Sequence, residues 1–169
     1  EDIKDPECFA IEAELRRRMR IPVFHDDQHG TAIVCAAAVR NALLLQGKAL
    51  AEVRLVTSGA GAAALSCVDL LISMGLPREQ VTLTDIGGVI HRGREDLGPE
   101  LAAFATTTEA RTLPEALAGA DIFLGLSAPR VLPAEWLSLM APKPLILAMA
   151  NPEPEIMPEL VHEHRPDAI

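Results

Sequence analysis

The sequence is short of positive charge, with 15 lysine and arginine residues against 24 aspartate and glutamate residues and a formal net charge of −9. Nucleic acids and anionic membrane surfaces both select proteins with a cationic footprint. This charge balance therefore argues against nucleic acid or a membrane as the main partner, and it favours a small molecule.

Long apolar runs and paired cysteines are also lacking. No segment approaches the roughly 20 apolar residues that cross a bilayer, and the first residues do not resemble a secretory signal. Cys8, Cys35 and Cys67 lie far apart and form no CxxC pair, which excludes a zinc site or a disulfide framework built on paired cysteines. We therefore expect a protein of the reducing cytoplasm. The chain opens on Glu1 and Asp2 rather than Met, so we expect a fold truncated at both ends.

Apolar residues make up 49% of the 169 positions, which is enough for one domain with a substantial core. Their periodicity switches repeatedly between strand and helix. The predicted helices are residues 6–19, 31–45, 62–74, 113–118 and 133–140, and the predicted strands are residues 53–57, 81–84, 121–126 and 145–150. Residues 21–24 are expected to be extended and residues 25–30 to form a polar turn. Residues 87–98 are expected to form a polar loop. This order predicts an α/β fold, a Rossmann-like doubly wound and mostly parallel sheet preceded by two helices.

A glycine-rich segment lies between the first predicted strand and the helix after it. Its pattern is G-x-G-x-x-A, starting at Gly59. Gly59 suits the tight turn, Gly61 lets backbone amides approach a pyrophosphate, and the helix N-terminus favours an anion. The alternative is a turn of small residues packed on a sheet. The flanking strand and helix favour dinucleotide binding.

The choice between NAD and NADP depends on the end of the second strand. Asp85 follows Gly61 by 24 residues, near the spacing of the acidic residue that binds a ribose 2′-hydroxyl, which favours NAD. A 2′-phosphate would be repelled by Asp85 unless a cation compensated, and His91, Arg92 and Arg94 are candidates. The alternative for these three residues is a solvated basic loop.

Two adjacent carboxylates, Asp26 and Asp27, lie in the predicted polar turn at 25–30. Such residues are often solvated, and Asp27 could instead cap the helix that follows. A third possibility combines these carboxylates with Glu1 and Asp2 in an oxygen-rich site, which suits Mg²⁺ or Mn²⁺ rather than zinc.

Five segments together resemble bacterial malic enzymes over nearly the whole chain. They are EDIK at 1–4, PECF at 6–9, IPVFHDDQHGTA at 21–32, SGAGAAA at 58–64 and ANPEPEI at 150–156. The similarity is greatest to the malic enzyme half of the bacterial proteins that also carry a phosphotransacetylase-like domain. It divides the chain into metal-site helices with the acidic turn (1–47) and an NAD(P)-binding Rossmann-like domain (48–169), which together form one structural unit.

The resemblance implies roles for individual residues. Glu1, Asp2 and Asp27 match metal ligands, and Asp26 and Asp27 match catalytic carboxylates, with Asp26 orienting a catalytic lysine. Ser127 matches a residue that lines the nicotinamide ribose, although an ordinary turn at the end of a strand is the alternative. The remaining matches to cofactor contacts are Thr31, Ser58, Gly59, Ala60, Gly61, Ala62, Ala63 and Asn151.

The implied reaction is the oxidative decarboxylation of malate to pyruvate and CO₂, with reduction of NADP and with Mg²⁺ or Mn²⁺ as the metal. The family uses a lysine as base and a tyrosine as acid, but this chain has no tyrosine, and Lys4, Lys48 and Lys143 lie outside the catalytic-lysine context. We therefore expect the chain alone to bind cofactor but to be incomplete for catalysis, and the full-length parent to be a homo-oligomer.

Many relatives carry a lysine at the position of Gly87. Because this chain lacks that lysine, an NAD-linked malic enzyme remains an alternative to an NADP-linked one. The sequence also leaves open a non-catalytic dinucleotide-binding module and a Rossmann oxidoreductase of a different kind. The latter would bind a dinucleotide without a metal, so the acidic cluster argues against it.

Overall fold

The computed structural model describes Ile3 and residues 7–169. Its α-helices are α1 (Glu7–Arg18), α2 (Asp26–Gln46), α3 (Ala62–Ser73), α4 (Pro99–Ala102), α5 (Leu113–Leu117) and α6 (Pro158–His164). Its strands are β1 (Leu55–Ser58), β2 (Val81–Asp85), β3 (Gly88–Val89), β4 (Ile122–Gly125) and β5 (Leu145–Ala148). Two 3₁₀-helices span Arg78–Gln80 and Ala134–Leu139. None of the helices in these residues has the length and hydropathy that crossing a bilayer requires.

The strands form one sheet in the order β3-β2-β1-β4-β5. β1 lies parallel to both β2 and β4, and β5 lies parallel to β4. The predicted mostly parallel α/β sheet is therefore confirmed. Because the chain moves from β1 to β2 on one side and later to β4 on the other, the crevice between β1 and β4 is a topological switch point, where such sheets bind ligands.

Side chains alternate between the two faces of the sheet, and each face has its own core. Leu55 and Leu124 pack with buried residues of α2 and α3 on one face. Val56 and Phe123 pack with residues of α5, α6 and the second 3₁₀-helix on the other. Helices thus cover both faces, which explains why every residue of β1 and β4 is buried.

The predicted polar turn at 25–30 is wrong, because α2 already begins at Asp26. His25 is the extended residue before the helix, and Asp26 and Asp27 occupy its first turn. Carboxylates are favoured there by the free amides and the positive end of the helix dipole. The four residues before His25 pair with no strand in the described chain.

Other segments also differ from the sequence prediction. The polar loop predicted at 87–98 contains β3, which pairs antiparallel with β2. The helix predicted at 133–140 is a 3₁₀-helix, the form that short helical segments often take. α6 was not predicted, although Pro158 occupies its first turn.

Candidate functional site

The turn after β1 places the first glycine of the predicted dinucleotide loop where no other residue fits. Gly59 has a φ of +104°, and its amide donates to the Thr84 carbonyl at 2.9 Å. A Cβ at this position would lie 2.3 Å from the carbonyl oxygen of Leu126, which follows β4. Both the backbone angle and the close approach of the neighbouring strand therefore require glycine.

The second glycine of the loop, Gly61, is the N-cap of α3. Its φ is −82°, which any residue can adopt, and no side chain caps the helix. The first turn carries Ala62 and Ala63 and no acidic residue. The free amides of this 12-residue helix therefore begin four residues after β1, at the carboxyl end of that strand, and are available to an anion.

The ends of β1 and β4 are joined by a chain of hydrogen bonds that ends on a buried carboxylate. Ser58 Oγ lies 2.8 Å from Ser127 Oγ, which in turn donates to Glu155 Oε1 at 3.1 Å. The amide of Ser127 donates to the same oxygen at 2.8 Å, and the amide of Ala150 donates to Glu155 Oε2 at 3.1 Å. Glu155 is fully buried. It thus connects the carboxyl ends of β1, β4 and β5.

Sequence reasoning gave Glu155 no role, although it lies in the ANPEPEI segment. A glutamate among prolines and other acids resembles a solvated loop, so its burial could not be inferred from the sequence. In the structure, Gly125, the last residue of β4, leaves room for this side chain, because a Cβ there would lie 2.4 Å from Glu155 Cδ. Asn151, the next residue after Ala150, is exposed at the same edge of the sheet.

Asp85 ends β2 at the same edge, and its carboxylate is paired. Arg94 Nη1 donates to Asp85 Oδ1 at 2.7 Å, and the Gly87 amide donates to the same oxygen at 2.7 Å. Arg94 also binds Asp96 through Nε at 2.9 Å and Nη2 at 2.5 Å, and these contacts lower the pKa of Asp96 to about 2. The Arg94 side chain is only 11% exposed.

The three basic residues suggested by the sequence therefore take different positions. The alternative that these residues form a solvated basic loop is wrong for Arg94, because its side chain is largely buried and ion-paired. His91 Nδ1 accepts from the Gly93 amide at 3.1 Å. Arg92 lines a separate cavity with Arg54, which precedes β1 and so lies at the opposite edge of the sheet from Asp85.

The acidic cluster lies at the start of α2. Asp27 is exposed over 58% of its side chain, and its Oδ2 is 3.6 Å from Nε2 of the buried His25. Gln28 Nε2 lies 2.8 Å from His25 Nδ1. When the amide donates this bond, the neutral imidazole carries its proton on Nε2, facing Asp27.

Asp26 folds back over its own helix. A Cβ on Gly30, one turn later, would lie 2.0 Å from Asp26 Oδ1, so the missing side chain makes room for the carboxylate. Thr31 follows and is half-buried.

The metal ligands predicted from the resemblance are only partly visible. Glu1 and Asp2 lie outside the described residues. Among those that the structure describes, no group of three histidine, cysteine, aspartate or glutamate side chains is arranged to hold a metal ion. Asp27 offers a carboxylate with the oxygen chemistry that Mg²⁺ and Mn²⁺ prefer, so this residue fits a metal ligand.

The described lysines are not placed as bases. Lys48 Nζ donates to Asp121 Oδ1 at 2.7 Å and to the carbonyls of Pro142 and Lys143 at 2.7 and 3.0 Å, and it thereby anchors the end of α2 to the sheet. Lys143 is exposed, and Lys4 lies outside the described residues.

Residues 28–164 match the family model described as "Malic enzyme, NAD binding domain". The chain is 56% identical over 170 residues to the NAD-dependent malic enzyme of Rhizobium meliloti and 54% identical over 171 residues to the NADP-dependent malic enzyme of Escherichia coli. Each alignment covers 100% of this chain and 22% of the relative. The chain thus spans about a fifth of the length of these relatives.

The solved structures give the same result for the fold. The crystal structure of the NAD-dependent malic enzyme from Thermotoga maritima superposes with a TM-score of 0.91 at 40% identity. The match covers 97% of this chain and 45% of that one.

Proposed function

Because this chain belongs to the malic enzyme NAD-binding domain family, we propose that it supplies the dinucleotide-binding part of an enzyme that converts malate to pyruvate and CO₂ while reducing NADP. The observation that carries the proposal is the turn at Gly59, which brings the uncapped start of α3 to the carboxyl end of β1. A pyrophosphate is the ligand that this arrangement favours.

The described residues would hold the cofactor along the edge of the sheet. The loop from Gly59 to Ala63 binds the pyrophosphate, and Asp85 lies where the adenosine ribose is expected. Ser58, Ser127 and Asn151 lie toward the nicotinamide, whose ring, when bound, accepts a hydride from the substrate. The part of Glu155 is indirect, since it fixes the position of Ser127 through two hydrogen bonds.

The acidic start of α2 would serve the substrate end of the site. A bound Mg²⁺ or Mn²⁺ supplies Lewis acidity toward the malate oxygens. Asp27 would be one of its ligands, together with Glu1 and Asp2. Asp26, held over Gly30, would orient a catalytic lysine of the parent enzyme. Thr31 would contact the cofactor from the same helix.

We favour NADP over NAD because Arg94 places a guanidinium against Asp85. The positive charge offsets the carboxylate that would otherwise repel a 2′-phosphate, and guanidinium groups bind phosphate well. An NAD-linked malic enzyme is the second candidate, since Asp85 ends β2 in the position that suits a ribose 2′-hydroxyl. A non-catalytic dinucleotide-binding module is the third.

Calorimetric titration with NADP and NAD tests the proposal. Gly61→Val should abolish binding of both, because the side chain fills the space that the pyrophosphate must enter, whereas the φ of Gly61 tolerates a side chain and the fold should persist. Ala49→Val, at an exposed turn after α2, is the control and should bind normally. Equal affinity of the chain and the Gly61 variant would refute the assignment.

A further inference from the structure

The cavity lined by Arg54 and Arg92 has a volume of about 480 Å³ and opens at the amino-terminal edge of the sheet. Its wall includes Arg54, which directly precedes β1, Gln80, which directly precedes β2, and Thr82 in β2. The dinucleotide loop lies at the carboxyl ends of the same strands. The cavity is therefore separate from the proposed cofactor site, and its volume is in the range that holds small metabolites.

Three arginines line this cavity in a chain whose net charge is −9. The Arg54 guanidinium donates one hydrogen bond, from Nη1 to the Ala118 carbonyl at 3.2 Å. Arg78 donates to the Ala103 carbonyl at 3.0 Å, and its guanidinium stacks over the ring of Phe104 at 4.5 Å. Since a guanidinium has five N–H donors, most of the donors on both arginines remain available.

Arg92 is the third arginine, and its side chain makes no hydrogen bond or ion pair with the part of the chain that the structure describes. Its backbone is nevertheless held, because its amide donates to the Thr106 carbonyl at 2.9 Å. The next residue, Thr107, adds a hydroxyl to the lining. Glu79 is the carboxylate of the lining, and Asp69 lies 3.9 Å from Arg78 outside it.

We propose that this cavity binds a small phosphate-bearing metabolite. Three guanidinium groups against one carboxylate in the lining leave an excess of positive charge, and the forked N–H donors of arginine match the oxygens of a phosphate. Hydroxyl and amide donors from Thr107 and Gln80 add polar contacts that orient such a ligand. A phosphate held here would not compete with the dinucleotide for the glycine loop.

The test uses inorganic pyrophosphate as probe and the Gly61→Val chain as background, so that the glycine loop cannot contribute. Calorimetry should show one saturable site in this background. The added pair Arg54→Ala and Arg92→Ala should weaken binding by at least about tenfold, the loss expected for charge-assisted hydrogen bonds. Arg40→Ala, on the exposed face of α2, should leave the affinity unchanged.

Three results of this titration would overturn the proposal, and a comparison with malonate adds a fourth. They are the absence of saturable binding, an undiminished affinity in the double variant, and an equal loss in Arg40→Ala, which would mean nonspecific attraction to positive charge. Arg92→Ala alone gives a second check if the double variant unfolds, because the Arg92 side chain contributes no hydrogen bond to the described fold. Malonate tests the chemical class, since equally tight binding of this dicarboxylate would refute selection for phosphate.

Discussion

The buried carboxylate of Glu155 accepts two hydrogen bonds from Ser127, one from its amide at 2.8 Å and one from its hydroxyl at 3.1 Å. No cation in the described chain pairs with Glu155, so its polar partners there are hydrogen-bond donors alone. The ends of β4 and β5 are thus held together by one side chain, which belongs to neither strand.

We therefore expect Glu155→Gln to be strongly destabilising. The NH₂ of the glutamine side chain must then face one of the backbone N–H donors that Glu155 now accepts from, and a buried donor left without an acceptor costs about 1–3 kcal/mol. Urea denaturation should show the loss, and calorimetry should show weaker NADP binding. Glu153→Gln is the matched control, because Glu153 is exposed and pairs only with the exposed Arg130 among the described residues. Equal stability of the two variants would contradict the role assigned to Glu155.

Arg94→Gln should shift cofactor preference toward NAD. Without the guanidinium, Asp85 repels a 2′-phosphate but can still accept from a 2′-hydroxyl. We expect the ratio of the dissociation constants for NADP and NAD to rise at least about tenfold, since hydrogen bonds to charged groups contribute about 1.5–3 kcal/mol. Calorimetry with both cofactors measures this ratio. An unchanged ratio would mean that Arg94 serves only to fold the segment around Asp96.

Asp27→Asn and Asp26→Asn should have separable effects. Removing the anionic oxygen of Asp27 should weaken Mn²⁺ binding, which electron paramagnetic resonance of the free ion measures directly. Asp26→Asn should leave Mn²⁺ affinity nearly unchanged and should lower kcat in the full-length parent enzyme. If both variants lost Mn²⁺ equally, Asp26 would be a ligand rather than the carboxylate that orients the lysine.

The pairing of Asp96 with Arg94 predicts a specific acid sensitivity. The folded-state pKa of Asp96 is about 2, against an ordinary value of 3.8. A carboxylate with a depressed pKa contributes stability above its unfolded pKa and loses that contribution as pH falls toward the folded value. Between pH 4 and pH 2, the stability of Asp96→Asn should therefore fall less steeply than that of the unchanged chain. Urea denaturation at several pH values measures the free energy of unfolding of both proteins. An equal loss of stability in the two between pH 4 and pH 2 would rule out the linkage.

The 169-residue chain should not turn over malate, even with Mn²⁺ and NADP. Lys48 is engaged with Asp121, and no tyrosine is present to act as the acid. General acid and base groups contribute about 10²–10⁴-fold each, so activity without them should fall below detection. Reduction of NADP is followed by absorbance. Production of pyruvate at a rate normal for a dehydrogenase would show that the proton-transfer groups lie within this chain.

The amino-acid sequence by itself determined the features that depend on near neighbours. The order of strands and helices follows from the periodicity of apolar residues, and the dinucleotide loop follows from glycines placed between a strand and a helix. Asp26 and Asp27 were also recognisable, although the sequence placed them in a turn rather than in the first turn of α2. Local hydrogen bonding at a helix end was the missing information there.

Only the tertiary structure decided which distant residues meet. Glu155 and Ser127 are 28 residues apart, and nothing local signals that a glutamate among prolines becomes buried. Three basic residues close in sequence were equal candidates for the cofactor phosphate, yet the chain turns after β3 so that Arg94 returns to Asp85 while Arg92 joins Arg54 at the other edge of the sheet. Such contacts depend on strand order and on the path of the loops between strands, which are set by packing of the whole domain rather than by neighbouring residues.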